Sequence, residues 1–321
     1  MNPLATHVVT VTLNPALDQT VVLDALTPGA VHRARSVRKD AGGKGVNVAA
    51  CLADWGVPVA ATGVLGQDNA APFQALMDAK GIEDRFAWIP GETRTNLKLL
   101  DGATGDTTDI NLPGLRLTAD ALVTVRAVLR ERAARDALVV LAGSLPGGLP
   151  DDTYAGLTAD LRARGARVIL DASGPALAAA LAAPVGALPF AIKPNRHELE
   201  EWAGRALPTL ADVADAARDL RARGIALVAV SLGPEGALFV SDAEILRALP
   251  PPTEIASTVG AGDALVAGLV AGLHAGLPLP DTARLALAFA AGKLTRAGAN
   301  LPPRAVVEAI AATVRLERLA G

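Results

Sequence analysis

Aromatic side chains are nearly missing from this 321-residue chain, at 3% of positions, so a surface that stacks on nucleobases has little to be built from. Cysteine occurs once, as Cys51, which excludes an intrachain disulfide framework and fits a reducing compartment, read here as the cytoplasm. Cys51 itself sits in an apolar helical pattern and reads as packing. Charge of one sign is lacking too. The formal net charge is -3 with acids and bases interspersed, so neither nucleic acid nor an anionic membrane is an expected partner. No uncharged run is long enough for a membrane helix: Ala264 to Leu273 offers about ten residues against the roughly 20 needed, and Ala176 to Ile192 is interrupted by Pro184 and Pro189. Met1 to Thr6 has no basic region, so no signal peptide is expected. His7, His32, His197 and His274 lack metal-ligand spacing, and no Gly-x-Ser-x-Gly elbow supports a hydrolase.

What is present is small and apolar. Ala, Leu, Val and Gly dominate, which suits helices packed closely on a sheet. Short apolar runs at His7 to Leu13, Val57 to Gly63, Ala137 to Leu141, Arg167 to Asp171, Phe190 to Lys193 and Ala226 to Ser231 alternate with helical stretches such as Ala119 to Arg132, Asp151 to Arg164 and Leu210 to Arg223. That alternation predicts an α/β fold with a mostly parallel sheet covered on both faces. Thr20 to Lys39 and Arg94 to Asn111 break it: rich in Thr, Val and charge, with turn signals at Pro28-Gly29 and Gly102 to Gly105, they read as antiparallel strands of a small accessory sheet. The predicted partition is an α/β core over 1–12, 41–90 and 113–321 with a β-sheet lid over 13–40 and 91–112, placed where open α/β sheets bind ligands.

Six constellations carry chemistry. Thr258-Val259-Gly260-Ala261-Gly262-Asp263 precedes an Ala/Leu/Val/Gly helix; glycines at a helix start leave backbone amides open to an anion. Asp263 reads either as the base for an attacking hydroxyl or as an acid that merely complements the helix dipole. Gly42-Gly43-Lys44-Gly45-Val46-Asn47 is a second glycine-rich helix entry, suited to sugar hydroxyls and a phosphate or simply to tight packing. It matches neither a Walker A loop nor a dinucleotide fingerprint. Lys193-Pro194-Asn195-Arg196-His197-Glu198 puts Asn195 and Glu198 on one helix face, fit for hydrated Mg²⁺ or for a capping box. Ser231-Leu232-Gly233-Pro234-Glu235-Gly236 is a turn that either approaches a nucleotide or only closes a hairpin. Asp18, placed at the end of the first strand, suits two sugar hydroxyls, while Arg33, Arg94 and Lys98 lie on the lid strands, the last two an even number apart and so predicted to share a face. They suggest a phosphorylated sugar or solvated edge charges. Ser144, in Gly143-Ser144-Leu145-Pro146, fits a phosphate contact or a turn.

In order, Thr12 to Asp18, Gly42 to Asn47, Arg94 to Lys98, Gly143 to Pro146, Lys193 to Glu198, Ser231 to Gly236 and Thr258 to Asp263 resemble the motif series of the ribokinase-like (PfkB) carbohydrate kinases, over about Val8 to Val307. The phrases TLNPALD, AGGKGVNVA, PGETRTNLKL, INLPG and STVGAGDALVAG are similar to its 1-phosphofructokinase branch, with tagatose-6-phosphate kinases as the near neighbour. The resemblance implies a three-layer α/β/α fold whose β-sheet lid pairs two copies into a homodimer, Mg-ATP as donor, and transfer to the 6-hydroxyl of fructose 1-phosphate. It assigns Asp263 as base and Gly260, Ala261 and Gly262 as the anion hole. Asp18, Gly42, Gly43 and Asn47 would hold the sugar, with Lys44, Arg33, Arg94, Lys98 and Ser144 near its phosphate. Lys193, Asn195, Glu198, Ser231, Gly233, Gly236 and Thr258 would line the nucleotide and metal side. Ala264 stands where many relatives carry Ser, which leaves that mechanism intact. Lys44 resembles the 1-phosphofructokinase and tagatose-6-phosphate kinase forms and differs from the glycine-only loop of the 6-phosphofructokinases. The competing readings are a tagatose-6-phosphate kinase, a non-catalytic sugar-phosphate sensor on the same fold and, disfavoured by the missing fingerprint, a nicotinamide dehydrogenase.

Overall fold

The computed structural model describes residues 7–118, 120–252, 259–296, 298 and 300–319. In chain order the elements are β1 (Val8–Thr12), β2 (Ala16–Leu23), β3 (Ser36–Gly42), α1 (Lys44–Trp55), β4 (Val59–Gly66), α2 (Ala71–Lys80), β5 (Glu83–Asp84), β6 (Ala87–Ile89), β7 (Thr95–Asp101) and β8 (Thr107–Asn111). There follow α3 (Ala121–Arg132), β9 (Leu138–Ala142), α4 (Thr153–Ala163), β10 (Arg167–Asp171), α5 (Gly174–Leu181), β11 (Ala191–Ile192), α6 (Arg196–Ala203), α7 (Leu210–Ala222) and β12 (Leu227–Ser231). The last are β13 (Ala237–Val240), β14 (Ile245–Leu249), α8 (Ala261–His274), α9 (Leu279–Leu294), α10 (Arg304–Thr313) and β15 (Arg315–Leu319).

The large sheet runs β15-β14-β13-β12-β11-β10-β9-β1-β4-β5, with β6 also on β4. From β12 to β5 every pairing is parallel; β13, β14 and β15 add an antiparallel edge. The central strands are unbroken apolar runs because both faces are covered. Alternate residues divide between two cores: Leu138, Val140 and Ala142 face α1, α8 and α9, while Val139 and Leu141 face α3, α4, α5 and α7. Each fully buried Leu or Val there contributes about 1.5–3 kcal/mol.

The second sheet, β3-β2-β7-β8, differs from expectation in two ways. It begins at Ala16, so Asp18 lies inside β2 and not at the end of β1. Its central pair, β2 with β7, is parallel, although each is antiparallel to its own hairpin partner. Both central strands leave the large sheet in the same direction, and each returns through its hairpin. Period-two alternation then sets Asp18, Thr20, Asn96, Lys98, Arg38 and Asp40 on one face and Val21, Val37, Leu97, Leu99 and Ile110 on the other.

Candidate active site

The first turn of α8 is built by Gly260, whose φ of +82° is a left-handed conformation that a side chain disfavours. No side chain caps this turn, so its leading amides remain available for an anion at the positive end of the helix. Asp263 follows within that turn and is only 7% exposed. Asn47 Nδ2 donates to Asp263 Oδ2 at 2.7 Å. The second glycine entry makes this contact possible. Gly43, at φ +111°, lies so close to Pro15 that a Cβ would stand 2.9 Å from its Cα, and α1 therefore starts hard against the loop after β1 and carries Asn47 inward.

Behind the carboxylate lies a residue that the motif reading passed over. Asp171 ends β10 with its side chain fully buried, and Lys44 Nζ donates to its two oxygens at 3.1 and 3.2 Å. Lys193 Nζ lies 3.4 Å from Asp171 Oδ1. The available signal was an acid closing an otherwise apolar strand at its carboxyl edge. Burial, and then the charge of Asp171, push the Asp263 carboxyl up to about 6, against the pull of Lys44, Asn47 and Lys193. Burial by itself would lower the Lys44 ammonium, but Asp171 and Asp263 outweigh it and hold it above the ordinary lysine value.

Two cavities meet at this turn. One, about 540 Å³, lies against α8 and α9 and is lined by Asn195, Ser231, Gly233, Gly236, Pro250, Ala261, Gly262 and Leu287, among others. Asn195 forms a parallel bridge with Ser231, which joins the ends of β11 and β12 at the cavity rim. The other cavity lies under the polar face of the small sheet and is lined by Asp18, Thr20, Arg38, Asp40, Asn47, Lys98, Gly260 and Lys293, among others. Gly260 thus faces one cavity, and Ala261 and Gly262 the other. Asp18 accepts from Asn96 Nδ2 at 3.1 Å, and a Cβ on Gly42 would stand 3.1 Å from its other oxygen.

The lid cations do not act as a set. Arg94 precedes β7 and directs its guanidinium to the carbonyls of Asn14 and Pro15, both at 3.3 Å; burial lowers its pKa. Asn14 Nδ2 in turn donates to Ser144 Oγ at 3.0 Å, so Arg94, Asn14 and Ser144 form one group. Lys98 stands apart, paired with Asp109 at 3.3 Å and facing the small-sheet cavity. The expected shared face of Arg94 and Lys98 is therefore not formed, because the Arg94 side chain turns back to the loop after β1. Arg33 is exposed in the β2–β3 connection and lines neither cavity. Thr258 lies outside the described residues.

Asn195 and Glu198 form the capping box that one reading foresaw, Asn195 Oδ1 accepting from the Glu198 amide at 2.9 Å and Glu198 Oε2 from the Asn195 amide at 2.8 Å. Among the described residues no three His, Cys, Asp or Glu side chains converge as a metal cage. The donor set suits an ion held mainly by phosphate and water, as Mg²⁺ prefers, with the Glu198 charge close enough to raise Lys44.

The family profile described as pfkB family carbohydrate kinase matches residues 11–305. A Xanthomonas campestris pv. campestris protein named 1-phosphofructokinase is 54% identical over 97% of this chain and 98% of its own length. The Rhodobacter capsulatus protein of the same name is 49% identical over 98% of each. Phosphofructokinase-2 from Escherichia coli, in complex with substrates and products, matches with a TM-score of 0.89 and 29% identity, covering 95% of this chain and 98% of that one. With the family profile spanning both glycine-rich turns and the small sheet, the chain belongs to the pfkB family of carbohydrate kinases and has its ribokinase-like fold.

Proposed function

We propose that the chain is an ATP-dependent kinase that phosphorylates the 6-hydroxyl of fructose 1-phosphate, giving fructose 1,6-bisphosphate and ADP. The observation that carries the reading is the position of the Gly260 to Asp263 turn as the wall common to two cavities. ATP enters the larger, apolar one, its base among Pro250, Leu287 and their neighbours and its phosphates toward Ala261 and Gly262. The sugar lies under the small sheet, with Asp18, Gly42, Gly43 and Asn47 on its hydroxyls. The hydroxyl oxygen attacks the γ-phosphorus as the bond to the β-bridging oxygen breaks, and Asp263 takes the hydroxyl proton. The amides of the turn stabilise the charge on the transferring group without reorganisation.

Lys44, Arg94 and Ser144 are assigned to the substrate phosphate, and Lys98 to the sugar side. Lys193, Ser231, Gly233, Gly236 and Thr258 are assigned to the nucleotide. Mg²⁺, held through water by Asn195 and Glu198, would neutralise charge on the nucleotide phosphates. A cytoplasmic location fits the buried free thiol of Cys51.

The acceptor is tested by coupled ADP release with fructose 1-phosphate, tagatose 6-phosphate and fructose 6-phosphate. The highest kcat/KM belongs to fructose 1-phosphate under this reading; a preference for tagatose 6-phosphate reassigns the acceptor, and tight binding without ADP release for any of them favours a sensor.

A further inference from the structure

A third lysine at the turn has no part in the scheme above. Lys293 sits near the end of α9 and is 2% exposed. Its Nζ donates to the carbonyl of Arg296 at 3.0 Å, and no carboxylate of the described residues lies within ion-pair distance of it. A lysine near a helix C-terminus often caps the last carbonyls, but such a side chain ordinarily runs out to water. This one runs inward. A Cβ on Gly260 would stand 3.4 Å from Lys293 Cε and 4.0 Å from Nζ, and Lys293 and Gly260 line the same cavity. A Cβ on Gly262 would likewise stand 3.8 Å from Lys193 Nζ, so Lys293 and Lys193 flank the turn at the positive end of α8, with Asp171 and Asp263 as the buried carboxylates and the partly exposed Asp18 and Asp40 lining the Lys293 cavity. An ammonium held this deep with no ion-pair carboxylate of its own is costly unless an anion arrives beside it.

We infer that Lys293 is a positioning residue, a tethered cation that braces the Gly260 turn from beneath and adds positive potential where the transferring phosphoryl group passes. It spans from the end of α9 to the start of α8 and holds the left-handed turn in the orientation that aims its amides. Burial lowers this ammonium while Asp263 of α8 and Asp40 of β3 favour its charge and Arg38 of β3 opposes it; the neighbouring Cys51 thiol of α1 is kept neutral by burial.

The role rests on the kinase reading but not on the identity of the sugar. The test uses whichever phosphorylated ketose the wild-type protein turns over fastest. K293M keeps the apolar stem and removes the charge; K293A leaves room for a small amine. In both variants kcat falls on the order of 100-fold, as displacement of a positioned group predicts, while KM for the sugar changes by less than about threefold. Methylammonium restores kcat of K293A saturably without raising its melting temperature. If K293A does not fold, the kcat of K293M decides alone. A K293M rate within about threefold of wild type, or a folded K293A whose lost rate methylammonium leaves untouched, overturns the inference. A wild-type preference for another ketose would instead revise only the acceptor.

Discussion

Asp263 combines a buried carboxylate, a hydrogen bond from Asn47 and a neighbouring Asp171. With its ionisation raised to about 6, kcat/KM should fall on acidification with an apparent pKa near that value, because the base we propose must be unprotonated to accept the hydroxyl proton. A pH–rate profile checks it. The linkage to stability has the opposite sign. A carboxyl whose folded pKa is raised above the ordinary 3.8 favours folding most when protonated, so this contribution is present below the unfolded pKa and is lost as pH rises toward 6. Asp263→Asn should therefore be more stable than wild type at neutral pH, on the order of 3 kcal/mol at most, read as a higher denaturant midpoint. Asp171→Asn should do the reverse. It leaves Lys44 and Lys193 without their common carboxylate and should destabilise the fold by about 3 kcal/mol, with loss of activity measured on the protein that remains folded.

Glycine-rich helix entries were visible in the sequence as places where the backbone either opens to an anion or packs tightly, and Gly260 and Gly43 both take positive φ. Gly260→Ala should cost about 1–2 kcal/mol for the left-handed conformation alone and should lower kcat more than either KM, checked by steady-state kinetics beside a thermal melt. The capping box at α6 was legible from the three-residue spacing. Asn195→Ala should lose about 1 kcal/mol of stability and raise the KM for ATP. What the residues did not disclose was long-range. Asp171 and Lys293 sit in plain strand and helix patterns, and only the packing of α1, α8 and α9 against one sheet face brings their side chains to the site. The pairing of β2 with β7 was likewise hidden, since strand propensity carries no information on partner direction.

At the scale of the molecule, the alternation of apolar strands and helices predicted the covered parallel sheet, while the antiparallel edge of β14 and β15 follows from a mixed polar and apolar pattern that periodicity alone leaves ambiguous. The small sheet keeps one apolar face outward, with Val37 53% and Ile110 43% exposed. A second copy packed on that face is the homodimer we propose; Ile110→Lys should shift the species in sedimentation from dimer to monomer, and a monomeric wild-type protein at micromolar concentration would contradict it. Beneath that sheet, we propose, one turn presents amides to the phosphoryl group while its carboxylate takes the proton. The direct measurement is single-turnover transfer by Asp263→Asn with ATP and fructose 1-phosphate both shown to be bound. Binding should stay close to wild type while transfer slows by at least about 100-fold; transfer at the wild-type rate would rule out Asp263 as the base.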